Sequence, residues 1–114
     1  MFPFGLRKCE LMTIIKKLSK HITDEVEDAI CYAKWAVEVK DSNRSLADTL
    51  YSLSQDEMKH ASELHDEVVK LIEEYREEHG EPPAAMQAVY DYIHEQQIEA
   101  AAEARRYQAI YKER

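Results

Sequence analysis

Apolar residues recur every three or four positions over three long stretches of the chain, and this spacing predicts three α-helices. The first helix is expected over about residues 13–40. Residues 1–12 are expected to be irregular, because Pro3 and Gly5 interrupt regular structure near the start. Thr23 and the two acids after it form a second helix-start signal. The turns before Thr23 therefore belong either to the same helix or to a separate short one.

The second and third helices are bounded by residues that start or stop helices. Ser45, with an acid three residues later, predicts a capped start for the second helix, which is expected over about residues 45–79. Gly80 is typical of the position just past a helix end, and the two prolines that follow open the third helix, over about residues 83–112. Because the connections are short, neighbouring helices must run antiparallel. The sequence therefore predicts an all-α fold of three antiparallel helices.

One stripe of the second helix is apolar or aromatic except at two positions, Glu57 and His60, which form a Glu-x-x-His motif. An ionised carboxylate buried in such a stripe costs several kcal/mol unless a cation or a hydrogen-bond donor contacts it. A metal ion would contact both side chains at once. The alternative is an ion pair or hydrogen-bonded pair without metal. The full α2 stripe, which is expected to face the core, comprises Leu46, Leu50, Leu53, Glu57, His60, Leu64, Val68, Leu71 and Tyr75.

The first helix carries a similar stripe that contains a single acid, Glu25. Folding the first helix back on the second about residues 42 and 43 places Glu25 about 17 residues before the turn, and Glu57 and His60 about 14 to 17 residues after it. All three side chains are therefore expected at one level of the core. Glu27 is the rival ligand to Glu25, because a small rotation of the helix would turn it inward. The stripe comprises Leu18, Ile22, Glu25, Ala29, Tyr32, Ala36 and Val39.

Two carboxylates and one imidazole suit iron, and they also suit manganese or zinc. A di-iron carboxylate site in a four-helix bundle uses a Glu from each of two helices and a Glu-x-x-His from each of two others, and this chain supplies half of that set. Two copies related by a two-fold axis would complete it, with two iron ions per dimer. We therefore predict a homo-oligomer built from dimers, in which the first two helices of each copy form the four-helix bundle.

The chain resembles the ferritin-like superfamily, and within it the half-length encapsulated ferritins are more similar than the rubrerythrin-type proteins. The resemblance covers about residues 22–71 and is carried by Asp24-Glu25-Val26-Glu27, by Tyr32 and by Asp56-Glu57-Met58-Lys59-His60-Ala61. It implies a ferroxidase-type oxidoreductase, with a di-iron site between two subunits that oxidises Fe(II) with dioxygen or peroxide and delivers Fe(III) for storage. It also implies that Glu25, Glu57 and His60 are metal ligands and catalytic residues, and that Tyr32 is a catalytic-site tyrosine beside them.

Composition narrows the class of partner. The chain has 114 residues, which fits one domain over residues 1–114, and its net charge of -8 disfavours binding to a nucleic-acid backbone. No apolar run approaches the roughly 20 residues needed to span a membrane. Cys9 and Cys31 do not form a disulfide framework, which suits a reducing cytoplasm. The chain ends Tyr-Lys-Glu-Arg without the docking peptide that encapsulated ferritins often carry, so a shell protein is not an expected partner.

The sequence is also compatible with two other functions. A metal-free helical-bundle interaction module would use the same stripes, and a peroxide-reducing di-metal redox protein would use the same ligands.

Several polar side chains outside the motif also have expected positions. His65, His79 and His94 fall off the stripes and are expected at the surface. Cys31 is expected to be a small buried side chain. Gln97 lies on the stripe of the third helix, where its amide is expected to form hydrogen bonds across the bundle.

Overall fold

The chain folds into three long helices, and a computed structural model describes them over residues 6–113. Helix α1 is Lys8–Val39, α2 is Arg44–His79 and α3 is Ala84–Lys112. Two short connections fold the helices back on one another, and α1 contacts both of its neighbours. The predicted all-α class is confirmed, and no strand occurs within the described part of the chain.

The two connections use the chemistry that ends and starts helices. Asn43 caps α2, because its side-chain oxygen accepts a hydrogen bond from the Leu46 amide at 3.0 Å. The predicted cap at Ser45 was wrong, since Ser45 already lies within the first turn. Gly80 ends α2 with a φ of 81°, a conformation that favours glycine, and its amide donates to the Arg76 carbonyl. Pro83 then precedes the first residue of α3.

Helix α1 begins earlier than predicted and is continuous. It starts at Lys8, so residues 8–12 are helical and not irregular, while residues 1–5 of the predicted irregular segment lie outside the described residues. The Thr23 hydroxyl donates to the Ser19 carbonyl four residues earlier, at 3.2 Å. A threonine that bonds backwards in this way lies inside a helix and does not start one. Thr23 therefore does not divide α1 into two helices.

The core has two parts, one near each end of the bundle. The larger cluster joins α1 to α2 and contains the buried residues Ile15, Ile22, Val26, Ala61 and Val68. The smaller cluster lies near the 40–43 connection and contains Ala36, Ala47, Leu50 and Tyr111. Small residues on α1 and α2 let the two backbones approach closely.

Buried polar groups attach α3 to the other two helices. The Gln97 amide donates to the Ser19 carbonyl at 2.9 Å and to the Thr23 hydroxyl at 3.0 Å, which confirms the predicted hydrogen bonds across the bundle. The Ser54 hydroxyl donates to the Ala29 carbonyl at 2.7 Å and accepts from the Gln108 amide at 2.9 Å. Ser54 therefore connects all three helices through one buried oxygen.

The face of α2 that is buried differs from the predicted stripe. Its buried residues are Ala47, Leu50, Ser54, Ala61, Val68 and Tyr75. Leu46 and Leu53, which were expected in the core, are 39% and 37% exposed. His60 is also exposed. The apolar stripe is wider than the strip that α1 and α3 cover, so one margin of it, which includes the Glu-x-x-His motif, faces solvent.

The molecule is elongated and thin, with extents of 55 × 27 × 17 Å. This shape follows from helices of about 29 to 36 residues, each rising about 1.5 Å per residue, stacked side by side. Within residues 6–113, none of the helices has an apolar stretch sufficient to cross a membrane.

Candidate metal centre

Three of the predicted site residues meet on the α1–α2 face of the bundle. Glu25 lies in the middle of α1, and Glu57 and His60 lie one turn apart near the middle of α2. One potential ligand atom from each side chain lies within 4.8 Å of the other two. In the described part of the chain, this is the one group of three or more carboxylate, imidazole or thiol side chains arranged in this way.

One carboxylate oxygen of Glu25 is buried without a hydrogen-bond partner. This atom is Oε2, and His60 Nδ1 lies 3.6 Å away from it. The Glu25 side chain is only 25% exposed, whereas that of His60 is 52% exposed. A buried carboxylate oxygen without a donor is unfavourable in the absence of a cation. The group therefore fits a cation placed between Glu25 and the two residues of α2.

The centre is open on the side away from the core. Leu53 lies one turn before Glu57 on the same face of α2, and Leu46 lies two turns before Leu53. Both leucines are more than one-third exposed. Trp35 on α1 is also 50% exposed. The two potential α2 ligands thus continue a stripe of exposed apolar side chains that no part of residues 6–113 covers.

The structure separates the remaining predicted site residues from this group. Glu27 is exposed and lies outside the group, so the α1 carboxylate that faces α2 is Glu25. Tyr32 lies two turns after Glu25, which corresponds to about 10 Å along the helix axis. It is half-buried and packs against the cluster that contains Ala36 and Leu50. Its role beside a metal ion stays a prediction.

The donor set determines which ions the centre suits. Two carboxylates and one imidazole are ligands for iron, manganese and zinc, and there is no thiolate of the kind found in structural zinc sites. Three ligand atoms leave positions free for water, substrate or further protein ligands. Three ligand atoms are one fewer than the four that a closed structural zinc site uses.

The structure also corrects the expectations for histidine and cysteine side chains outside the centre. His65 on α2 and His94 on α3 are half-buried, and their ring centroids lie 5.0 Å apart. His79 is half-buried, with Nε2 3.1 Å from the Leu6 carbonyl oxygen. Cys31, expected to be buried, is exposed. The periodicity of a single helix could not predict this histidine pair, because the pairing depends on how α3 is placed against α2.

Comparisons with protein-family models, with curated proteins and with solved structures find no match to this chain.

Proposed function

We propose that the chain is a ferritin-like iron-handling protein, which binds Fe(II) at Glu25, Glu57 and His60 and oxidises it at a site shared between two copies. The observation that carries the proposal is the convergence of these three side chains within 4.8 Å, with a buried oxygen of Glu25 left without a hydrogen-bond partner. A structural ion pair would instead give each buried carboxylate oxygen a donor.

The open side of the centre supports a shared site. A second copy related by a two-fold axis would place its own exposed α2 margin against the first. Leu46 and Leu53 would then be buried, and two centres would face one another. Together the copies would supply four carboxylates and two imidazoles, the ligand set of a di-iron carboxylate site. The first two helices of each copy would form a four-helix bundle, with the two α3 helices outside it.

Iron is the substrate in this proposal. Two Fe(II) ions each lose one electron, and dioxygen accepts both electrons with two protons and leaves as hydrogen peroxide. With peroxide as the oxidant, the same two electrons and two further protons yield two molecules of water. The protein residues hold the ions: the carboxylates balance the rising positive charge, and the imidazole of His60 fixes the position of each ion.

Anaerobic Fe(II) titration of the tag-free protein tests the assignment. We expect close to one Fe(II) per chain in the wild type, and loss of this binding in Glu57→Ala and in His60→Ala. Glu27→Gln and His21→Gln are matched controls, because both residues are exposed and lie outside the centre. Circular dichroism of each variant checks that the helices are intact. Unchanged binding in both Ala variants would refute the site.

Admitting air to the loaded protein then tests the chemistry. We expect ultraviolet absorbance of Fe(III) to grow faster with the wild type than with His60→Ala, and native mass spectrometry to give an even number of chains. A protein that neither binds Fe(II), Mn(II) or Zn(II) nor changes its melting temperature with them would instead be a metal-free helical-bundle module. Rapid consumption of peroxide without accumulation of Fe(III) would favour a peroxide-reducing di-metal protein.

A further inference from the structure

The histidine pair on α2 and α3 lies where these two helices have few other contacts. Helix α3 packs mainly on α1 and touches α2 sparsely. Towards one end of α2, Ser54 accepts a hydrogen bond from Gln108, and towards the other end Arg76 Nη2 lies 3.4 Å from Gln87 Oε1. His65 lies midway between Ser54 and Arg76 along α2. At this position the centroid of the His94 ring lies 5.0 Å from the centroid of the His65 ring, and the two ring planes are tilted by 45°.

The distance between the two ring centroids is compatible with a shared metal ion. A tetrahedral ion with metal–nitrogen bonds of about 2.0–2.1 Å places two imidazole ring centroids about 5 Å apart. The rings of His65 and His94 already have that spacing, and both are half-buried. Two imidazoles held by two long helices would therefore accept an ion with little movement of the backbone.

We propose that His65 and His94 form a second metal site, which binds a late first-row divalent cation such as Zn²⁺ and fastens α3 to α2. Imidazole is a preferred ligand of Zn²⁺, Ni²⁺ and Cu²⁺ and a poor one for Mg²⁺ or Ca²⁺. Within residues 6–113, no carboxylate or thiol forms a group of three with these two rings, so water fills the remaining positions. The site is thus chemically distinct from the carboxylate-rich centre.

The two centres use different faces of the same helix. His65 follows His60 by five residues, which turns it by about 140° around the axis of α2. His60 lies on the exposed margin near α1, whereas His65 lies on the side that meets α3. The second site does not depend on the proposed oxidation of iron, and variants at one site leave the ligands of the other in place.

Zinc titration by isothermal calorimetry of the tag-free protein tests the proposal. The wild type is expected to bind about two Zn²⁺ per chain. His94→Gln and His65→Gln are each expected to lose one of them, and His60→Ala is expected to lose the other. His21→Gln is the matched control, because His21 is exposed and lies on α1. In the His60→Ala protein, Zn²⁺ at about 100 times its dissociation constant should raise the melting temperature by roughly 10 °C.

The outcomes separate the two proposals. If only the carboxylate centre fails, the wild type and His60→Ala bind the same single Zn²⁺ and His94→Gln binds none. If His94→Gln retains all the Zn²⁺ bound by the wild type while circular dichroism shows it folded, the histidine pair is a packing contact and the second site is refuted. The same conclusion follows if His60→Ala, which keeps both His65 and His94, gains no thermal stability from Zn²⁺.

Discussion

Replacing Glu25 by Gln is expected to change stability in opposite directions with and without metal. The substitution keeps the shape of the side chain and removes its charge. In the metal-free protein, Glu25 Oε2 is buried without a hydrogen-bond donor, and His60 Nδ1 is 3.6 Å away. Removing the charge therefore removes an uncompensated desolvation cost. If metal binds as proposed, the same carboxylate would be a ligand, and its loss would weaken binding.

The expected size of both stability changes can be estimated, the first of them from the exposure of the Glu25 side chain. A fully buried polar group without a partner costs about 1–3 kcal/mol and a charged one costs more, so Gln, which stays polar, removes only the difference between the two. Because the Glu25 side chain is 25% exposed, solvent screens part of this cost. We expect Glu25→Gln to be more stable than the wild type by about 0.5–1 kcal/mol in the absence of metal. At a metal concentration of about 100 times the dissociation constant, the wild type should be stabilised by about 2.7 kcal/mol. Glu25→Gln should gain little stability when metal is added.

Urea unfolding measures both free energies. Each protein is unfolded anaerobically at one fixed chain concentration, once with a chelator and once with Mn(II), which does not oxidise under these conditions. The expected result is that the order of stability of the two proteins reverses when metal is added. If Glu25→Gln is less stable than the wild type with chelator, Oε2 has a stabilising partner in solution. If both proteins are stabilised equally by Mn(II), Glu25 is not a ligand.

Three further predictions concern the assembly, the alkaline stability and the core. Leu53→Asp places a charge on the exposed α2 margin and should yield a monomer by native mass spectrometry, whereas an unchanged oligomer would show that this margin is not the interface. Burial, followed by the hydrogen bond to Asp48, raises the pKa of Tyr111 above its usual value. Stability should therefore fall as pH rises through about 10, where tyrosines of the unfolded chain lose their protons first, and the fall should be smaller in Tyr111→Phe. Ser54→Ala leaves the Gln108 amide without its buried acceptor and should lower the free energy of unfolding by about 1–3 kcal/mol in urea titrations; a cost near zero would mean that water replaces the hydroxyl.

The helices could be predicted from the sequence more reliably than their starts. Gly80 marks the end of α2 in the structure as it did in the sequence, because few other residues adopt its positive φ. The start of α1 was placed five residues late. Thr13 resembles a capping residue in sequence, but its hydroxyl donates to the Cys9 carbonyl at 2.8 Å inside a helix that has already begun. Side-chain type alone does not distinguish these two uses of threonine.

The grouping of Glu25, Glu57 and His60 could be predicted because it depends only on rise per residue and on the position of one tight turn. Their exposure could not be predicted in the same way. Periodicity gives the angle of each side chain around its own helix, but not the width of the strip that a neighbouring helix covers. Gln97 was placed correctly because it lies at the centre of its stripe. His60 and Leu53 lie at the margin of theirs, where a small rotation decides between core and solvent.

The thinness of the molecule has a consequence for how ions reach the centre. The shortest dimension is 17 Å, less than two helix diameters of about 10–12 Å each. A layer this thin has no interior deep enough to require a tunnel, so under the proposed function an ion would reach Glu57 and His60 of a single copy directly from solvent. Under the proposed function, enclosure comes only when a second copy covers the site. Apparent metal affinity would then increase with protein concentration, and dilution alone would release the ion.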